Sequence, residues 1–291
     1  MKETRQHTLS ESVSYKGIGL HSGQPVLLEF QPAEVNTGIV FIRTDIEGEP
    51  EISATADRVT STFRATTLAQ GQGQVMTVEH LIAALYLAGI DNCRIQMNSV
   101  EPPVGDGSAQ VFFDLIRKVG KVAQTAPAKW LKIKKAYQVY DGDRFIVILP
   151  YDGYRISYTS FNAHPELGTQ FFDVDLMDEN GPAEIISART IGFMHEFEAL
   201  QAQGLALGGS LENALVYGVE ESLNPPRFPE ELVRHKMLDI VGDLALCGYR
   251  IQGHVIASQS AHALNTKLAL RLYEEIRNQE NNESGGRNND A

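Results

Sequence analysis

The stretch Thr77-Val-Glu-His-Leu-Ile-Ala-Ala-Leu-Tyr-Leu-Ala-Gly89 places the hardest constraint on the fold. At about 100° per residue, Val78, Leu81, Ile82, Leu85, Leu87 and Ala88 cover nearly the whole circumference of a helix. Such a helix must be surrounded by protein. The spacing predicts a helix over 78–89, with Thr77 as N-cap and Gly89 as C-terminal stop. Apart from the Tyr86 phenol, its only ionisable residues are Glu79 and His80, both in the first turn. A buried Glu needs a partner or a raised pKa. The helix N-terminus favours an anion, which would leave Glu79 where a general base is useful. The alternative is a capped helix end with both side chains in water.

A second helix is predicted over about 230–247. Val233, Met237, Leu238, Ile240, Val241 and Leu244 form one apolar arc, while His235, Asp239 and Asp243 follow at i, i+4 and i+8 on the other side. An i, i+4 His/Asp pair can point a nitrogen and an oxygen at a common position, as a metal ligand pair requires. The alternative is a solvated polar face. Against it, Arg234 lies within the apolar arc, and Gly242 costs about 1 kcal/mol inside a helix. Something must approach closely on the Gly242 side. Further on, His262 falls in a polar stretch after the strand pattern at 253–257, a common place for an acid/base group and also for an ordinary surface histidine.

Composition removes several classes. The 291 residues carry 25 basic and 37 acidic side chains, a formal charge of −12, which disfavours non-specific binding to nucleic acid. No apolar run approaches the ~18 residues of a membrane span, and the N-terminus lacks the apolar core of a signal peptide. A soluble, cytoplasmic protein is expected. Cys93 and Cys247 have no CxxC neighbour, so any metal site must come from His and carboxylates.

Strand patterns recur in both halves (25–30, 38–43, 93–97, 143–149, 154–158), with helix patterns at 78–89, 108–119, 194–203, 230–247 and 265–277. Without a regular βαβ beat this reads as α+β, and halves of similar content suggest a duplicated architecture. The expected division is an N-terminal domain over 1–123, a linker over 124–129, a C-terminal domain over 130–277 and a disordered tail over 278–291. Gly120 is expected to cap the helix before the linker in the left-handed conformation. Gly17-Ile-Gly-Leu-His-Ser-Gly23 is read as a tight turn with positive φ, no helix following it. The turns at 187–193 and 204–210 bracket a short helix and either shape an apolar channel or merely pack.

These motifs occur together in one set of enzymes: Thr77-Val-Glu-His-Leu81, Val233-Arg-His-Lys-Met-Leu-Asp239 with Gly242-Asp243, and His262-Ala-Leu-Asn265. So do Gly17-Ile-Gly-Leu-His-Ser-Gly23, Asp106-Gly-Ser-Ala109, Ala188-Arg-Thr190 and Gly204-Leu-Ala-Leu-Gly-Gly-Ser210. From about residue 6 to 275 the chain resembles the UDP-3-O-acyl-N-acetylglucosamine deacetylases of Gram-negative bacteria, which commit the pathway to lipid A. It departs from their usual pattern at Ile191, where they have Phe, and at Gln259-Ser-Ala261, where they often have a basic residue and Gly.

The resemblance implies two similar α+β domains, each layering helices on a sheet, with the active site between them. It implies that His80, His235 and Asp239 ligate Zn²⁺, or alternatively Fe²⁺, leaving an open position as in hydrolytic sites. Glu79 is then the general base, and His262, held by Asp243, the protonated partner of the oxyanion and leaving amine. Thr190 shares the oxyanion, and Lys236 adds positive charge near a diphosphate. The acyl chain would run past Phe193, Met194, Phe197, Gly209, Ser210, Ala214 and Val216, with Phe161 near the nucleotide. Burying ~12 methylenes would contribute at most about 10 kcal/mol before entropy costs. No obligate protein partner, nucleic acid or integral membrane segment is implied. The rival readings are a metal-dependent hydrolase of another amide and a non-catalytic nucleotide-sugar binder.

Overall fold

The structure, a computed structural model, describes residues 4–286, the side chains of 282–286 excepted. The chain opens with β1 (Arg5–Leu9), β2 (Val13–Ile18), β3 (Pro25–Pro32), β4 (Ile39–Arg43) and β5 (Glu51–Ser53). A small antiparallel sheet follows: β6 (Val59–Ser61), β7 (Thr67–Gln70) and β8 (Gly73–Val75). Then come α1 (Glu79–Ala88), β9 (Cys93–Met97), α2 (Gln110–Val119) and β10 (Lys121–Pro127). The second half starts with β11 (Trp130–Lys132), β12 (Tyr137–Asp141), β13 (Arg144–Leu149), β14 (Tyr154–Phe161) and β15 (Thr169–Asp175). An insertion with β16 (Ile191–Phe193), α3 (Met194–Ala202) and β17 (Leu215–Tyr217) precedes α4 (Glu231–Ala245), β18 (Arg250–Ser258) and α5 (His262–Gly286).

The α+β class stands, and the suspected duplication is visible in the topology. One sheet runs β2-β3-β9-β4-β5, the other β12-β13-β18-β14-β15. Along each five-strand path the pairs are antiparallel except one in the same relative place, β4 with β9 and β14 with β18, and the second sheet adds β11, parallel to β18 off that path. Alternation makes these strands: in β3, Val26, Leu28 and Phe30 face inward while Leu27, Glu29 and Gln31 face out. Helix α2 packs on β2 and α1, helices α4 and α5 pack on the second sheet, and α1 lies against α4. One apolar core runs through both halves and includes Leu81, Ile82 and Leu85 of α1, each contributing about 1.5–3 kcal/mol on burial. Among the described residues no helix is long and apolar enough to cross a membrane.

Several local expectations change. The segment 124–129 is not a free linker, because β10 reaches Pro127 and pairs antiparallel with β1, satisfying backbone groups that a linker would leave to water. Gly120 has positive φ (79°) but an extended ψ (178°), so it turns the chain straight into β10 rather than adopting the left-handed helical cap. Of the glycines in the 17–23 turn, Gly23 alone has positive φ. The tail is helical where it is described: α5 begins at His262 and continues to Gly286, since Leu264, Leu268, Leu272 and Ile276 anchor one face and helix propagation carries the polar end. Residues 287–291 lie outside the described part.

Candidate active site and metal centre

Helices α1 and α4 cross where Gly242 meets the backbone of Glu79. A Cβ at Gly242 would drive into the Glu79 carbonyl, so glycine is what lets the first turn of α1 sit on the middle of α4. This is the close approach inferred from sequence. It buries the whole of α4 through Leu244 apart from Lys236, polar face included, because the side opposite the sheet is covered by α1. Glu79 and His80 are buried, not solvated at a helix end.

Thr77 is not the N-cap. Its backbone is left-handed (φ 56°), and its hydroxyl donates to Glu101 Oε1 at 2.8 Å rather than accepting from α1. The fully buried Glu101 carboxylate also accepts the backbone N–H groups of His21 and Ser22 and draws the hydroxyl toward itself. This carboxylate escaped the sequence reading, as did the position of His21 on the cavity wall. The His-containing turn 17–23 was the available signal.

Three donor atoms converge, from His80 on α1 and from His235 and Asp239 one turn apart on α4. Their ligand atoms lie within 4.8 Å of one another. His80 Nε2 is 3.5 Å and His235 Nε2 3.4 Å from Asp239 Oδ1, and the rings stand edge to face with centroids 4.9 Å apart. His235 Nδ1 bonds the Ala188 carbonyl at 3.0 Å, so that nitrogen carries the proton and Nε2 offers a lone pair. Burial pushes the His235 pKa down to about 3, keeping the ring neutral. Asp239 Oδ2 accepts from Lys236 Nζ at 2.8 Å, while buried Oδ1 has no hydrogen-bond partner. Burial works against ionisation of Asp239, but its electrostatic interactions with the His235 ring and the Lys236 ammonium hold it well below the usual range. Two imidazoles and one carboxylate, whose unpartnered oxygen Oδ1 faces them, fit a divalent cation.

Beside this cluster, Glu79 Oε2 accepts the Thr66 N–H at 3.0 Å, and Oε1 lies 3.9 Å from His262 Nε2. Burial raises the Glu79 pKa, partly offset by His262 and His80. His262, the first residue of α5, turns Nδ1 to Asp243 Oδ2 at 2.9 Å. Asp243 is saturated by the Thr66 hydroxyl and the Asn265 amide. Burial opposes the charge on His262, yet Asp243 and Glu79 raise its pKa to about 9. Lys236 is also raised, because Asp239 outweighs its burial.

A cavity of about 620 Å³ opens over these groups. Its wall includes Glu79, His80, His235, Lys236, Asp239, His262 and Thr190. The insertion before α4 supplies Phe193, Met194, Phe197, Gly209, Ser210, Ala214 and Val216, the residues expected to form an apolar passage. Ile191 lines it too. Two expected residues are not on the wall. Asp243 lies behind His262, and Phe161, at the end of β14, is 62% exposed between the lining residues Ser160 and Asn162. Unanticipated across the mouth is Arg64, which grips Glu196 of α3 with both terminal nitrogens, 3.0 and 3.1 Å.

Comparison with known proteins adds to this geometry. The family model described as UDP-3-O-acyl N-acetylglycosamine deacetylase matches residues 6–274. A UDP-3-O-acyl-N-acetylglucosamine deacetylase of Geobacter sp. (strain M21) is 44% identical over 269 residues, covering 92% of this chain and 88% of that protein. That of Myxococcus xanthus (strain DK1622) is 46% identical over 269 residues (92% and 86%), and that of Actinobacillus succinogenes 43% over 276 residues (93% and 90%).

Proposed function

Because the chain belongs to the UDP-3-O-acyl-N-acetylglucosamine deacetylase family, we propose that it hydrolyses the acetamide of UDP-3-O-acyl-N-acetylglucosamine, releasing acetate and the free 2-amine, in lipid A biosynthesis. The observation that carries this reading is the convergence of His80, His235 and the unpartnered Asp239 oxygen beside buried Glu79, at the floor of a cavity large enough for an acylated sugar.

His80, His235 and Asp239 would hold the metal, Zn²⁺ by preference of this donor set. When bound, it supplies Lewis acidity, polarising the carbonyl and making water acidic enough to lose a proton near neutral pH. The Glu79 carboxylate takes that proton, its burial raising its basicity toward the working pH. The Thr190 hydroxyl and protonated His262 donate to the developing oxyanion. His262 then releases its proton to the leaving nitrogen as the C–N bond breaks, and Asp243 keeps the ring oriented. Lys236 fixes Asp239 and adds positive charge on the side of the diphosphate. The acyl chain occupies the passage from Phe193 to Val216, with Phe161 near the nucleotide. The two repeats, 1–123 and 130–277, act as the two domains flanking the substrate, at a cytoplasmic site of action.

The test is acetate release by the zinc-reconstituted protein from acylated and unacylated UDP-N-acetylglucosamine. Rapid release from the acylated compound, with kcat/KM lower by orders of magnitude without the chain, is expected. Equal rates would remove the passage assignment, and no release from either would overturn the enzyme.

A further inference from the structure

The motifs Asp106-Gly-Ser-Ala109 and Ala188-Arg-Thr190 come from different halves, and most of their residues line no part of the cavity. Their contacts converge on one turn, 186–190, in which every residue has a backbone group tied down. Ile186 O accepts the Ala109 N–H at 3.2 Å, Ser187 O accepts Arg227 Nη1 at 2.8 Å, and Ala188 O receives His235 Nδ1. The Arg189 N–H goes to Glu231 Oε1 at 2.9 Å, and the Thr190 N–H to Gly107 O at 2.8 Å.

Behind the turn runs a chain of charges. Asp106 Oδ2 pairs with Arg227 Nη1 at 2.7 Å, and the Arg227 backbone N–H donates to Glu231 Oε2. Glu231 takes Arg189 Nε at 2.8 Å and Nη2 at 3.1 Å. The last pair is buried on both sides, with side-chain exposures of 7% and 0%. A pair so deeply desolvated adds little stability over an apolar replacement, whereas it does impose geometry. Its location gives that geometry a use. Glu231 stands one turn before His235 on α4, and Arg189 sits between the carbonyl that holds His235 and the hydroxyl of Thr190. Gly107 lets the first half approach, since a Cβ there would strike the Asn213 carbonyl.

We propose that Asp106, Arg227, Glu231 and Arg189 are positioning residues. Through the 186–190 turn they fix the His235 ring in its ligating tautomer and hold the Thr190 hydroxyl over the site. This rests on the reading of the site as a metal-dependent deacetylase. Outer partners of metal-bound histidines are worth 10–100-fold in affinity or activity.

The test compares wild type with E231Q, R227Q and D106N by chelator competition for zinc, the visible spectrum of the cobalt-loaded protein, and kcat and KM. E231Q and R227Q should weaken zinc binding by about 10–100-fold, alter the cobalt spectrum and lower kcat with KM nearly unchanged, and E231D should restore part of each. D106N should show the same pattern, several-fold smaller. If E231Q does not fold, R227Q and D106N, at the half-exposed end, decide. Variants that lose thermal stability while zinc affinity, spectrum and kcat stay at wild-type values overturn the proposal alone. A wild-type protein that binds no zinc overturns the site reading as well.

Discussion

The two halves share one succession, four strands, an insertion, a helix, a strand and a helix, yet they divide the site unequally. The first half gives its helix N-terminus, Glu79 and His80. The second gives the flank of α4, with His235, Asp239 and Asp243, and the first residue of α5, His262. At the place equivalent to His262, between β9 and α2, the first half carries the Asp106-Gly-Ser loop, which ties down the opposite half and supplies no group to the cavity wall. A repeated framework thus reserves positions where α1 meets α4, and the chemistry proposed for the site comes from filling equivalent positions differently.

The sharpest way to break that comparison is to remove one contribution from each half. Asp239→Ala should abolish metal binding and with it activity. Glu79→Gln should retain the metal and lower kcat by about 10²–10⁴-fold. Metal analysis alongside turnover separates them, and equal metal loss in both would take the general-base role from Glu79. Next in size is Gly242→Ala, which forces a Cβ into the Glu79 backbone and should cost about 1–3 kcal/mol, read as a drop in Tm of several degrees. Unchanged Tm would mean that the helices separate freely, and the contact would no longer define how the halves meet. The smallest effect sharpens the pairing of Asp243 with His262. In the metal-free protein the His262 ring should titrate near 9, protonated below that value and neutral above it. Asp243→Asn should bring it down toward the ordinary ~6.5, as read by NMR. A wild-type value already near 6.5 would show that the carboxylate does not hold the ring.

Much of the candidate site was legible because burial and periodicity speak through single elements. A near-apolar helix bearing Glu79 and His80 in its first turn, and a row of His235, Asp239 and Asp243 with an unexplained Gly242, are local patterns that weigh against a merely solvated reading. What was not legible depends on partners far away in the chain. Thr77 looks like a cap until Glu101 is brought beside it, and 124–129 looks like a linker until β1 arrives to pair with β10. Arg64 and Glu196 are ordinary surface charges until two insertions bring them face to face. The end of α5 was misjudged from composition, because polar residues propagate a helix whose earlier turns are anchored.

The insertions are the feature with the widest reach. The residues proposed to hold a cation and move protons belong to the repeated framework, whereas most of the apolar wall belongs to the segment between β15 and α4. On the proposed reading, changes of chain-length preference, or of fit to a competing ligand, can therefore accumulate in that segment while bond cleavage proceeds on an unaltered floor. Selection for a new acyl group and selection for turnover would then act on separate stretches of the polypeptide.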